Sequence, residues 1–166
     1  MNIRAATASD FPELLRLNEE SEHFLSPLTP TRLELLFDQA AYRRVVAQDD
    51  QVVAFLLAFR EACTYDSLNY RWFLNHFDHF LYIDRVVVSE AFQGRGIGKL
   101  LYDDIFAFAR QTDAQRLTCE FDIDPPNEAS RRFHERYGFT EVGTQAVASG
   151  TKMVSLQAVS LAPQAA

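Results

Sequence analysis

Residues 93–99 read QGRGIGK, between the apolar run LYIDRVVVS (81–89) and LLYDDIFAFAR (100–110). Three glycines at alternate positions are costly to order, because glycine loses more backbone freedom on folding than any other residue. They also let a backbone turn sharply and come close to a ligand. A strand, a glycine-rich turn and a helix start together make an anion site, since free N–H groups at the helix N-terminus point outward and the helix dipole favours negative charge. Two common phosphate motifs do not fit. A P-loop needs GxxxxGK(S/T), but Leu100 follows Gly98-Lys99 and the upstream glycine is missing. A GxGxxG fingerprint starting at Gly94 needs glycine at 99, which is Lys99.

Working outward, 80–89 reads as a strand and 94–110 as a helix with Ile97, Leu101, Ile105 and Phe108 at helical spacing. Downstream, RLTCEF (116–121) reads as a strand and NEASRRFHERYG (127–138) as a helix closed by Gly138. FTEVGTQAV (139–147) and TKMVSLQAV (151–159) read as a final hairpin. Upstream, NIRAAT (2–7) is a short strand. A helix over 9–25 starts at Ser9 or Asp10 with Pro12 in its first turn, and a second helix spans 31–40. Residues 42–60 form a hairpin turning at QDDQ (48–51). The aromatic, non-periodic stretch 61–79 reads as a long loop, of the kind usually tied to function. The order β-α-α-β-β-β-α-β-α-β-β predicts an α/β fold with a mixed, partly parallel sheet. One domain is expected over 1–160, with a frayed tail at 161–166.

Composition narrows the function. The chain has 166 residues, enough for one sizeable core, and a net charge of −7, which argues against a broad nucleic-acid surface. Its 14 Phe and 6 Tyr are numerous enough for some to line a pocket. Cys63 and Cys119 stand far apart, so neither a disulfide framework nor a metal site is expected. The N-terminus lacks the apolar segment of a signal peptide, and no run approaches the ~18 apolar residues of a membrane span, so a cytoplasmic protein without membrane contact is expected. TKMVSLQAV, taken as an edge strand, needs cover, which a homodimer through it or through the aromatic loop would supply.

Gln93, Gly96 and Gly98 satisfy the pattern Gln/Arg-x-x-Gly-x-Gly/Ala after a strand and at a helix start. This resembles the acetyl-CoA loop of the GNAT (Gcn5-related N-acetyltransferase) superfamily. NEASRRFHERYGF (127–139) is similar to a second motif of that superfamily, and the two together cover about residues 81 to 142. The resemblance implies the acyl-CoA N-acyltransferase fold: a mixed central sheet, flanked by helices, with a splayed parallel strand pair that admits the thioester. It implies transfer of an acetyl group from acetyl-CoA to a primary amine, small molecule or peptide, by direct attack. It implies that Gly94, Arg95, Gly96, Ile97, Gly98 and Lys99 cradle the pyrophosphate with Gln93. Val86, Val87 and Val88 would follow the pantetheine arm, with Asn127 and Ser130 nearby. A non-catalytic acetyl-CoA-binding module on the same fold is the alternative.

For the chemistry, Glu120 in LTCEF is the first candidate base, as a carboxylate in a partly desolvated cleft; it could equally be a polar strand residue. Asp84 is the second. It interrupts an apolar strand and is expected on one face with Tyr82, Val86 and Val88, unless it simply pairs with Arg85. His134 stands where the superfamily commonly has a proton-donating Tyr, and either donates a proton to the departing thiolate or packs. Tyr137 is the fallback donor. Asn127 also suits a helix N-cap. Asn18, Glu19, Tyr65, Asp66, Asn69, Tyr70, Trp72, Phe73 and Tyr82 are candidates for the acceptor side, where acidic and aromatic groups suit a cationic amine.

Overall fold

The computed structural model describes residues 1–162. Its strands are β1 (Asn2–Ala5), β2 (Tyr42–Gln48), β3 (Gln51–Arg60), β4 (Phe80–Val88), β5 (Arg116–Asp124), β6 (Thr140–Val147) and β7 (Lys152–Ser160). They form one sheet in the order β1-β2-β3-β4-β5-β7-β6. The helices are α1 (Phe11–Glu20), α2 (Pro30–Gln39), α3 (Leu68–Leu74), α4 (Ile97–Gln111) and α5 (Glu128–Arg136). None is long and apolar enough to cross a membrane.

Helices cover both faces. Leu14 and Leu17 of α1, Leu33 and Leu36 of α2, and Tyr70 and Phe73 of α3 pack on one face with Phe55, Phe59, Tyr82 and Leu156. Ile97, Leu101, Tyr102 and Ile105 of α4 pack on the other with Leu56, Leu81, Ile83 and Leu117. β3, covered on both sides, is buried over eight consecutive residues and reads as a continuous apolar run.

The helix starts follow from their caps. Thr29 accepts from Arg32 N at 3.1 Å and opens α2 before Pro30. Asn127 Oδ1 accepts from Ser130 N at 3.2 Å and opens α5, as expected. α1 ends earlier than the sequence suggests, because the chain turns from Ser21 toward Ser26.

Three expectations are corrected. Residues 61–79 are not all loop, since α3 starts where Ser67 Oγ caps Tyr70 N at 3.3 Å. TKMVSLQAV is not an edge: β7 lies between β5 and β6, and the edges fall on β1 and β6. Asp84 is the extra residue of a bulge in β4, because Leu57 pairs with Arg85 and Ala58 with Ile83. The bulge reverses the alternation beyond it. Tyr82 and Val87 share one face, while Val86 and Val88 pack on the opposite one, away from Tyr82. Of the expected tail, Leu161 is tied by its N–H to Gln115 O at 2.9 Å, and residues 163–166 lie outside the described residues.

Candidate active site

β4 and β5 are parallel, yet they pair only where Phe80–Tyr82 meets Arg116–Thr118. Beyond Tyr82 and Thr118 the strands separate. A cleft of about 990 Å³ opens there, running from the glycine loop to the segment between α1 and α2.

At one end, Gly94 and Gly96 have φ of +77° and +78°, and Gly96 is the residue from which α4 starts. This left-handed region strains any residue with a Cβ. A Cβ at either glycine would meet no atom within 4 Å, so the space above the loop is open. Among the described residues no protein acceptor takes the N–H groups of 94–99, and Leu100 N is the first to bond, to Gly96 O at 3.0 Å. Free N–H groups over open space at the start of a fifteen-residue helix make an anion cradle. Gln93 Nε2 ties the loop to the end of β4, donating to Val88 O at 3.3 Å.

Gln93, Gly94, Gly98, Val86, Val87, Val88, Asn127 and Ser130 all line the cleft. The other loop residues do not. Ile97 is buried in the core, Lys99 pairs with Asp103 at 2.5 Å, and Arg95 lies over the Phe92 ring at 4.8 Å.

Glu120 stands at the fork. The Tyr82 hydroxyl donates to its Oε1 at 2.9 Å, and Oε2 is buried with no partner among the described residues. Burial, and then the charge of Asp84, raise its pKa to about 8, against the hydrogen bond from Tyr82. Asp84 is differently placed. Both its oxygens are engaged, one accepting from Tyr65 Oη at 2.5 Å and the other from Arg85 Nε at 2.7 Å. Arg85 Nη1 continues the chain to Asn18 Oδ1 at 2.9 Å, and Asn18 Nδ2 donates to Ser26 O at 3.1 Å. A buried polar network thus anchors the α1–α2 segment to the bulge.

His134 is buried on the same wall as Gly98 and Phe133. Burial lowers its pKa, against the Ser130 carbonyl, so the ring is neutral. Nδ1 lies 2.7 Å from Ser130 O, which can only accept, so the ring hydrogen sits on Nδ1. Nε2 therefore accepts from the Tyr102 hydroxyl at 2.6 Å. Tyr137 is directed elsewhere, its hydroxyl donating to Asp103 Oδ1 at 2.9 Å on the exposed side of α4.

On the acceptor side, Tyr65 and Asn69 line the cleft. Asn69 Oδ1 accepts from Gln145 Nε2 at 2.9 Å. Tyr82 lies beneath Glu120, fully buried. Glu19 is exposed on α1 beside Pro12 and Pro30, outside the cleft. Asp66 faces solvent and pairs with Arg32. Tyr70 and Phe73 are core residues, and Trp72 stacks on His76 at 3.7 Å. Sequence reasoning did not single out Tyr102, Lys152 or Asp122, all of which line the cleft. Only for Tyr102 was there a signal, since it adjoins the apolar stripe of α4.

Comparison with known proteins places this arrangement. The sequence model of the Acetyltransferase (GNAT) family matches residues 8–139. A stretch of 59 residues is 46% identical to phosphinothricin N-acetyltransferase of Streptomyces coelicolor; it covers 36% of this chain and only 33% of that enzyme. The fold is similar to Ard1 from Thermoplasma volcanium, with a TM-score of 0.80, 18% identity and 97% of each chain covered. It is also similar to the ribosomal-protein-S18-alanine N-acetyltransferase of Escherichia coli, with a TM-score of 0.74 and 14% identity over 99% of this chain and 96% of that one. The match across residues 8–139 and the forked sheet lead to one conclusion: the chain belongs to the acetyltransferase (GNAT) family.

Proposed function

We propose that this protein, acting as one domain over residues 1–160, is an N-acetyltransferase that moves an acetyl group from acetyl-CoA to a primary amine by direct attack. The observation that carries the reading is Glu120, a buried carboxyl with one unpartnered oxygen where β4 and β5 part. The donor fits the cleft. Its pyrophosphate meets the free N–H groups of 94–99, and its pantetheine arm runs along Val86–Val88 toward the fork.

An amine arrives mainly as ammonium and must lose a proton before it can attack. Glu120, with a pKa of about 8, takes that proton in its ionised form, whose share grows as pH rises toward and past 8. The neutral nitrogen then bonds to the thioester carbon, and the C–S bond breaks. The leaving thiolate needs a proton. His134 is poorly set to give it, being neutral with its N–H on Ser130 O. The Tyr102 hydroxyl, on the same wall of the cleft, is the candidate donor, and to act it must turn its O–H from His134 Nε2 to the sulfur.

Acetyl-CoA turnover by the purified protein with a panel of primary amines tests the reading. Glu120→Gln, which keeps the shape and removes the base, is expected to lower kcat by roughly 10²-fold, the scale of one acid–base group. Tyr102→Phe is expected to lower kcat more than it changes the affinity for acetyl-CoA. Acetyl-CoA binding without turnover of any amine would favour the non-catalytic module.

A further inference from the structure

Beyond the fork, the cleft is bounded by the α1–α2 segment, the start of α3 and the β6–β7 turn. Its charges are internally matched. Arg85 is held by Asp84 at 2.7 Å, Lys152 by Asp122 at 3.4 Å, and Arg32 by Asp66. Lys152 Nζ also donates to His23 O at 3.0 Å, so its position is fixed from two sides. Among the described residues Glu120 Oε2 is the one fully buried carboxyl oxygen without a partner; Asp122 is held by Lys152 through Oδ2 alone, and Glu22 stands exposed at the mouth, where water solvates it. The rim is apolar. Phe24 is 49% exposed and Leu68 59% exposed, and both line the cleft with Leu25, Pro27 and Val147. Exposed large apolar groups gathered at a cleft mark something that covers them.

Resting on the acetyltransferase reading, we infer that the acceptor is a small primary monoamine on an apolar body, of the alkylamine or arylalkylamine class. One amine group meets the buried, unpartnered oxygen of Glu120, and the hydrocarbon body covers Phe24 and Leu68. A second ammonium reaching for Asp84 would strand Arg85, which is buried, without its counter-ion; a stranded buried charge is strongly unfavourable. A carboxylate beside the amine would face Asp84 and Glu120, with the nearest cation, Arg85, buried and held by Asp84 and Asn18. Amino acids and polyamines are therefore poor acceptors.

The test compares matched pairs with acetyl-CoA: phenethylamine against phenylalanine, and butylamine against 1,4-diaminobutane. We expect kcat/KM at least tenfold higher for the monoamine in each pair. Equal or higher values for the amino acid or the diamine, or preference for a peptide N-terminus, would overturn the inference while leaving the acetyltransferase reading intact. Calorimetry of the same amines on the CoA complex reads the acceptor class even without turnover, so the two readings fail separately. Phe24 is on the surface, and Phe24→Ser is expected to raise KM for phenethylamine at least threefold more than for ethylamine, whose body is too short to reach the rim. An equal change for both amines would count against the apolar contact.

Discussion

Glu120 sits where a carboxyl is hard to keep charged, and two consequences follow with opposite signs for activity and stability. As a base it works ionised, so kcat/KM should rise as pH passes through about 8. Glu120→Gln should remove that limb, and an unchanged limb would assign it to the amine instead. For stability, the folded state keeps a proton that the unfolded chain releases above its pKa of 4.5. Stability is therefore lost as pH rises from 4.5 to about 8, and stays low above that. Denaturation at about pH 9 should find Glu120→Gln more stable than wild type by a few kcal/mol, since each pKa unit is worth about 1.4 kcal/mol, and the gap should close near pH 4. His134 acts in the other direction. Its folded pKa is depressed, so its contribution is present above the unfolded value of 6.5 and is lost as pH falls below it. Gly96 separates backbone strain from ligand contact. Gly96 and Gly150 share positive φ and open space, but only Gly96 lies in the cradle. Each change to Val should cost stability by roughly 1–2 kcal/mol. Gly96→Val alone should also weaken acetyl-CoA binding at least tenfold by calorimetry; equal affinities would make the glycines a matter of turn geometry.

At the scale of elements, what the sequence showed and hid has a physical pattern. Strands and helices with clean periods were readable, and so was the cap at Asn127, because those signals are local. α3 was hidden: Leu68–Leu74 carries Leu, Tyr, Trp and Phe on several sides and lacks a polar face to set a period. The bulge at Asp84 was hidden because LYIDRVVV reads as an unbroken run, so the faces of Val86 and Val88 were misassigned. The place of β7 inside the sheet depends on long-range pairing that no local pattern encodes. Glu120 was visible as a carboxyl in a strand. Its burial and free oxygen were not, since they depend on Tyr82 and on the strand separation. One contact between elements invites a direct test. A Cβ on Gly143 of β6 would come within 2.6 Å of the Trp72 ring, which is stacked on His76. Gly143→Ala should therefore cost about 1–3 kcal/mol as overpacking. Trp72 is the only tryptophan, so its fluorescence should shift as the ring is displaced. Wild-type stability and emission would mean that β6 moves aside freely.

For the whole molecule, the outer strand β6 leaves backbone groups without a neighbour on one side, and only the bulge between Glu141 and Gly143 interrupts it. Pairing with a second copy would cover it. Sedimentation at tens of micromolar, roughly the range of weak dimers, is expected to show a dimer, and a monomer there would mean the bulge is protection enough. The sheet also has an interior interruption. β1 to β4 and β5 to β7 are each laddered along their length, yet the two groups meet over only three residues on each side, Phe80–Tyr82 and Arg116–Thr118. Mechanically this is a seam. Under tension across the strands, rupture should start at the open end of the fork and run toward Phe80, with each half staying whole. Acetyl-CoA lying in the fork would act as a rivet, raising the rupture force without altering either half.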